Sequence, residues 1–197
     1  MLPLSHPLSQ LAITWSGAKK EPHVPLSEQW CETRDILRAR IDSVTIQLLR
    51  SGIPEERARL LDAVLSEIGG NSFDHNIGQW RDTPGVFFAV QKTENGILCV
   101  LADRGQGVLS TLSRVRPELK DAEEALRVAF TERISGRSPE QRGNGLKFVR
   151  SVLLQDGIDM WYASGSAAYT VQDRVESRMP ADASVEGCCA ILLLKIV

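Results

Sequence analysis

The stretch VFFAVQKTENGILCVLADRGQG, residues 86–107, decides how this chain folds. Its two apolar runs, residues 86–90 and 97–102, are rich in β-branched and aromatic side chains, which favours two strands. The Asn95-Gly96 step between them is a strong signal for a tight turn, because both residue types tolerate a positive φ. We therefore predict a β-hairpin whose second strand leads directly into Asp103.

Helical patterns precede this hairpin, and further strands follow it. Apolar residues recur at helical spacing over residues 26–50 and again from Pro54 to about Asn76. Further helices are expected at residues 121–130 and 145–154, and strands at 158–163, 167–171 and 188–196. The order predicts an α/β fold, a two-layer sandwich with one mostly antiparallel sheet covered by helices on one face.

The bulk composition narrows the class of protein. The chain has 197 residues and a net charge of -2, and its pI of about 6.0 argues against a dedicated nucleic-acid binder. No apolar run approaches the roughly 20 residues needed to span a membrane, and the N-terminus does not resemble a secretion signal. The four cysteines lack metal-type spacing, so we expect buried thiols, no zinc site and a cytoplasmic location.

Prolines divide the chain into two regions. Four of them fall within residues 1–25, which we interpret as a Pro-rich N-terminal arm that Ile13 and Trp15 anchor to the body. Residues 26–197 then form one domain, which is long enough to bury a single core.

The first candidate motif lies on the second predicted helix. Glu67, Asn71 and His75 follow one another at intervals of four residues, so they share one helix face. This row borders the apolar positions and suits either a pocket wall or a solvated face. Gly69-Gly70 costs about 1 kcal/mol per glycine in a helix interior, which favours a close approach by a packed group or a ligand.

An Asn oxygen is a suitable ligand for Mg²⁺, which usually takes few protein oxygens together with phosphates and water. A Glu one turn earlier is suited to polarise a hydroxyl or a water for attack on a phosphate. His75 is suited to donate to a phosphate or to close the pocket.

Two glycine-rich motifs follow. Asp103 stands at a strand end and is followed by Gly105 and Gly107, which place a fixed acceptor beside an accessible backbone. The stretch Arg142, Gly143, Asn144, Gly145 and Leu146 opens the helix at residues 145–154. Free N–H groups at a helix start attract anions such as phosphates. Neither the Walker nor the Rossmann glycine spacing occurs.

The segment between these motifs is basic. Residues 111–150 contain nine Lys or Arg against six Asp or Glu, a local charge of +3 within a chain of -2. Such a field is consistent with a lid that faces a polyphosphate, and a surface for a protein partner explains it nearly as well.

The order of the three motifs, Glu67-x3-Asn71, then Asp103-x-Gly105-x-Gly107, then Gly143-x-Gly145, resembles that of the Bergerat-fold (GHKL) ATPases over residues 26–197. The Glu67, Asn71 and His75 pattern is most similar to the anti-sigma-factor serine/threonine kinase branch. The resemblance implies ATP and Mg²⁺ as cofactors. It implies that Asn71 holds the metal, Glu67 acts as the base and Asp103 binds the adenine amine. The glycines would shape the adenine turn and meet the phosphates.

Two functions remain open from these observations. The first is a kinase that phosphorylates or sequesters a partner protein, and the second is an ATP-dependent conformational switch that hydrolyses slowly or not at all. The catalytic part of a histidine kinase is disfavoured, because His6 and His23 lie in the arm and not on a long helix. We expect a protein partner, no nucleic acid and no membrane, and we leave a homodimer open.

Overall fold

The computed structural model describes residues 2–19, 25–132 and 145–196. In these ranges one antiparallel sheet forms the centre of the molecule. Its strands are β1 (Trp30–Cys31), β2 (Val86–Thr93), β3 (Gly96–Asp103), β4 (Ile158–Gln172) and β5 (Val175–Leu194). They are arranged in the order β1-β2-β3-β5-β4, and every pair of neighbours is antiparallel.

The helices pack on the two faces of this sheet. They are α1 (Pro7–Gly17), α2 (Arg34–Arg50), α3 (Glu55–Asn76), α4 (Gly107–Leu112), α5 (Ala122–Thr131) and α6 (Gly145–Asp156). Buried residues of α2, α3, α5 and α6 pack on one face of the sheet in a single apolar cluster. The predicted α/β sandwich with an antiparallel sheet is thereby confirmed. Among the described residues, no helix is both long and apolar enough to cross a membrane.

The predicted hairpin is present as β2 and β3. Thr93 pairs with Gly96, so Glu94 and Asn95 form the turn and Gly96 already belongs to β3. Gly96 has a φ of 139°, and a Cβ there would overlap the Leu194 carbonyl of β5. Glycine is therefore required at this position both by its backbone conformation and by its neighbouring strand.

Two strands predicted at residues 158–163 and 167–171 form one bent strand, β4. Its pairing with β5 shifts register on both sides of Gly165, which has a φ of 64°. The tip of the β4–β5 hairpin then returns to its own base, where the Asp173 amide donates to Asp159 Oδ1 at 2.9 Å and Lys195 contacts Asp159 at 2.8 Å. The hairpin is therefore folded back on itself.

The N-terminal arm contains a helix that was not predicted. Helix α1 starts after His6, whose ring accepts a hydrogen bond from the Leu8 amide at 3.2 Å, and Pro7 occupies the first turn. Ala12 and Trp15 are buried against the sheet face opposite the other helices. The four prolines led us to interpret this region as an arm, although a proline in the first turn is a recognised signal for a helix start.

Helix α2 begins later than predicted. The expected start at Leu26 is wrong, because Trp30 and Cys31 form β1 and Thr33 caps the helix through its side-chain oxygen. Trp30 pairs with Phe87 of β2, and its ring lies 5.4 Å from that of Trp15. These partners are distant in sequence, so local periodicity could not reveal them.

Candidate functional site

A cavity of about 960 Å³ lies between α3, α4 and the start of α6. Its volume is within the range of roughly 300–1,000 Å³ typical of small-molecule sites. The residues that line it include Glu67, Asn71, His75, Asp103, Gly107, Gly145 and Leu146. Three motifs that are far apart in the chain therefore meet at one cavity.

The polar row of α3 borders the core, as its spacing predicted. Val64 and Ile68 are buried on the same helix. Glu67 and His75 are exposed, and Asn71 is half-buried. All three polar side chains belong to the cavity wall, so the row is more than a solvated helix face.

The first and third motifs are in direct contact. A Cβ added to Gly145 would overlap Oε2 of Glu67 and would lie 3.7 Å from the Asn71 side-chain nitrogen. A larger residue at position 145 would require the exposed Glu67 side chain to move away. The start of α6 and the two polar residues of α3 thus form one end of the cavity.

Asp103 occupies a different part of the cavity wall and is almost completely buried. The Ser72 hydroxyl donates to its Oδ2 at 2.7 Å, and the Gly105 amide donates to its Oδ1 at 2.9 Å. The Asn76 side-chain amide donates to Oδ1 at 3.4 Å. Burial raises the pKa of Asp103 above its ordinary value, and these hydrogen bonds only partly offset the rise.

Ser72 and Asn76 were missed by sequence reasoning. Each follows a member of the predicted row, Asn71 and His75, and the two are again four residues apart. Helix α3 therefore carries a second polar row, turned towards Asp103. The spacing was visible in the sequence, but the partner that gives the row its role comes from another element.

The two glycines after Asp103 have different surroundings. A Cβ on Gly105 would overlap the Asn76 side chain, so this glycine allows α3 and the turn to come together. Gly107 has a φ of 77° and lines the cavity. The next amide, of Val108, donates to Ser164 Oγ at 2.9 Å, which ties the turn to β4.

Tyr162 and Cys188 add an uncharged part to the cavity wall next to Asp103. Burial is the main cause that raises the pKa of both groups, so the phenol and the thiol are neutral at physiological pH. The prediction of buried thiols is confirmed for Cys31, Cys99 and Cys189. Cys188 differs, because it is half-buried and reaches the cavity.

The basic residues of the segment 111–150 make two kinds of contact, with the cavity and with acidic side chains. Arg114 and Lys147 line the cavity, as does Arg34 of α2. Arg116 and Arg127 form ion pairs with Glu132 at 3.0 and 2.8 Å. Only part of the described segment therefore faces the cavity, and the lid and the surface for a protein partner both stay predictions. Arg133, Arg137, Arg142, Gly143 and Asn144 lie outside the described residues.

The residues at the Glu67 end suit Mg²⁺ only if a ligand supplies further oxygens. Asn71 and Glu67 offer hard oxygen donors, as the ion prefers. No cluster of three His, Cys, Asp or Glu in the described ranges forms a metal site on its own. A metal that enters with a phosphate ligand would fit this donor set, and Asn71 would be its contact on the protein.

No protein-family model matches the sequence, and no curated protein is significantly similar to it. The protein has an α/β fold with one antiparallel sheet and a cavity at which three motifs meet. The resemblance to the Bergerat-fold ATPases therefore stays a prediction that rests on the motifs alone.

Proposed function

We propose that this chain binds ATP with Mg²⁺ in the cavity and acts as a regulatory protein kinase of the Bergerat (GHKL) type. The observation that carries the proposal is the meeting of Glu67, Asn71, Asp103 and Gly145 around one cavity of suitable size. One ligand that is contacted by all three motifs requires such a shared cavity, and its wall carries both charged and apolar groups.

The two ends of the cavity suit the two ends of ATP. Asp103 is an acceptor for the adenine amine, in a wall made partly of the neutral Tyr162 and Cys188 side chains. The start of α6 at Gly145 suits the phosphates, because a helix N-terminus favours anions. Lys147, in the first turn of the same helix, adds positive charge to the cavity wall. Arg114 adds a further positive charge near Gln106. Mg²⁺ would neutralise phosphate charge at the start of α6, held to the protein by Asn71.

Glu67 is suited to activate the acceptor. It is exposed and lies against Gly145, where the phosphates are proposed to bind. Its carboxylate would take the proton of a Ser or Thr hydroxyl on a partner protein, while that oxygen attacks the γ-phosphorus and ADP departs. The partner is expected to be a regulatory protein that is phosphorylated or sequestered.

A conformational switch is the second candidate, and the contacts of Gln106 favour it. Its amide donates to Asn76 Oδ1 at 3.1 Å, its side chain donates to the His75 carbonyl at 2.5 Å, and Arg114 donates to its Oε1 at 2.7 Å. A ligand at Asp103 would shift this chain of contacts and so move the α4 region, which a partner would sense.

Calorimetric titration with MgATP, followed by a transfer assay on the same sample, tests both candidates. We expect ATP to bind, and labelled phosphate to reach a Ser or Thr of a protein encoded next to this one. Glu67→Gln keeps the size of the side chain and should abolish transfer while ATP still binds. Binding without transfer, together with partner affinity that differs between ATP and ADP, would favour the switch. Absence of ATP binding would contradict both.

A further inference from the structure

Arg104, the residue directly after Asp103, is completely buried and does not belong to the cavity wall. Its guanidinium donates to Asp82 through two bonds, at 2.8 Å from Nε and 2.6 Å from Nη2. Nη1 donates to the Trp15 carbonyl at 2.6 Å. A buried arginine is costly unless its charge is paired and it makes hydrogen bonds. Here two separate segments accept three hydrogen bonds from Arg104, and Asp82 supplies the opposite charge.

One of these segments is the C-terminal end of α1. The carbonyls there carry the negative end of the helix dipole, which attracts a cation. The Arg104 guanidinium also lies 5.7 Å from the centre of the Trp15 ring, within cation–π range. Helix α1 thus contributes a carbonyl, a dipole end and an aromatic face to one arginine.

The other segment, which contains Arg81 and Asp82, joins the same assembly. The Arg81 amide donates to the Arg104 carbonyl at 3.0 Å, and its side chain donates to the Lys19 carbonyl at 3.0 Å. Arg81 also pairs with Glu186 of β5 at 3.0 Å. The backbone on either side of Arg104 is therefore held to the N-terminal region and to β5 at once.

We infer that Arg104 is a positioning residue that fixes the Asp103–Gly107 turn on helix α1, so that docking of α1 and binding at Asp103 are coupled. The ligand part of this inference rests on the proposed function, whereas the coupling of the turn to α1 does not. Arg104 touches no ligand itself. It acts through the backbone of Asp103 and Gly105, whose hydrogen bond sets the direction of the carboxylate.

The first measurement needs no nucleotide. Amide hydrogen exchange of Gly105 and Gln106 reports the turn directly, because their N–H groups bond to Asp103 and Asn76. Arg104→Met should speed the exchange of both amides by about tenfold, a typical size for coupling between sites. Arg38→Met is the control, since Arg38 pairs with Asp62 between α2 and α3. In Arg38→Met, the exchange rates of the Gly105 and Gln106 amides should change only as much as the change in its free energy of unfolding predicts.

The second measurement compares two ligands. Arg104→Met should weaken ATP binding by about tenfold but change the affinity for inorganic tripolyphosphate by less than about twofold, because only the base-binding turn is released. In the parent, ATP but not tripolyphosphate should slow amide exchange in α1, since coupling is reciprocal. A purely structural arginine would weaken both ligands alike.

Arg104→Lys is a more conservative variant, and it provides the same test if Arg104→Met does not fold. Lysine keeps the charge but cannot hold Asp82 with two bonds and reach Trp15 as well, so the same selective losses should appear at smaller size. Unchanged exchange at Gly105 and Gln106 in both Arg104 variants would overturn the inference. If the parent binds no ATP, the proposed function fails, and the exchange measurement alone decides whether Arg104 couples α1 to the turn.

Discussion

Asn71 is the residue on which metal-dependent binding should depend. It lines the cavity from α3 and is half-buried, so its removal costs the core little. We expect Asn71→Ala to weaken MgATP binding by at least about tenfold, because a metal contact is lost. The free energy of unfolding should change by less than about 1 kcal/mol. Calorimetry and urea denaturation measure the two quantities.

The control for Asn71→Ala is Gln47→Ala, a change on the exposed side of α2. Its MgATP affinity should equal that of the parent. An Asn71→Ala protein that binds MgATP as tightly as this control would show that Asn71 does not hold the metal.

Ser72 should control the pH at which ATP binding is lost. Its hydroxyl donates to Asp103 and thereby favours the ionised carboxylate, so Ser72→Ala should raise the already elevated pKa of Asp103 further. A protonated carboxyl is a poorer acceptor for the adenine amine. The acidic loss of ATP affinity should therefore begin at a higher pH in Ser72→Ala than in the parent, as titrations across the acidic range would measure.

Ser66→Ala provides the matched comparison for this experiment. Ser66 also lies on α3 and lines the cavity, but its hydroxyl bonds to Arg38 and Asp62, not to Asp103. Protonation of ATP itself affects its binding to both variants equally. The difference between their pH profiles therefore reports the titration of the protein. Coincident pH profiles for Ser66→Ala and Ser72→Ala would contradict the role assigned to Ser72.

At the scale of the element, the adjacent glycines of α3 should respond in opposite ways to alanine. A Cβ on Gly69 would overlap the Leu37 side chain of α2, whereas a Cβ on Gly70 meets nothing within 4 Å. Gly69→Ala should lower the free energy of unfolding by about 1–3 kcal/mol through overpacking. Gly70→Ala should raise it by about 0.5–1 kcal/mol through helix propensity.

Urea denaturation of the two variants beside the parent checks this pair, and each serves as the control for the other. Equal losses would mean that backbone conformation, not the approach of α2, requires the glycines. The sequence predicted a close approach at both positions, but packing explains only Gly69. Gly70 instead borders the cavity, and its carbonyl accepts a bond from Arg34 at 2.9 Å.

At the scale of the whole molecule, α1 should be needed for stability, although it lies in the region interpreted as an arm. Trp15 is 4% exposed and packs against Phe87 on the sheet face opposite the other helices. Trp15→Ala should lower the free energy of unfolding by about 3–5 kcal/mol. Leu11→Ala, on the same helix but 41% exposed, should cost less than about 1 kcal/mol.

Thermal or chemical unfolding of both variants gives this comparison. A Trp15→Ala protein as stable as Leu11→Ala would indicate that α1 is only loosely attached. In that case Arg104 would also lack a firm support for the turn.

The sequence by itself determined the elements whose signals are local. The β2–β3 hairpin follows from its alternation and its turn residues, and α3 follows from its apolar period between Pro54 and the glycine after Ile77. The spacing of Glu67, Asn71 and His75 was enough to place them on one face, because a helix has a fixed period.

Only the tertiary structure decided which groups meet. Four features involve partners that are distant in sequence. They are the start of α2, the bend at Gly165, the docking of α1, and the bonds from Ser72 and Asn76 to Asp103. Burial of such groups is a property of the assembled core, and it also sets the raised pKa of Asp103. Local pattern fixes a helix face, but packing alone decides what that face touches.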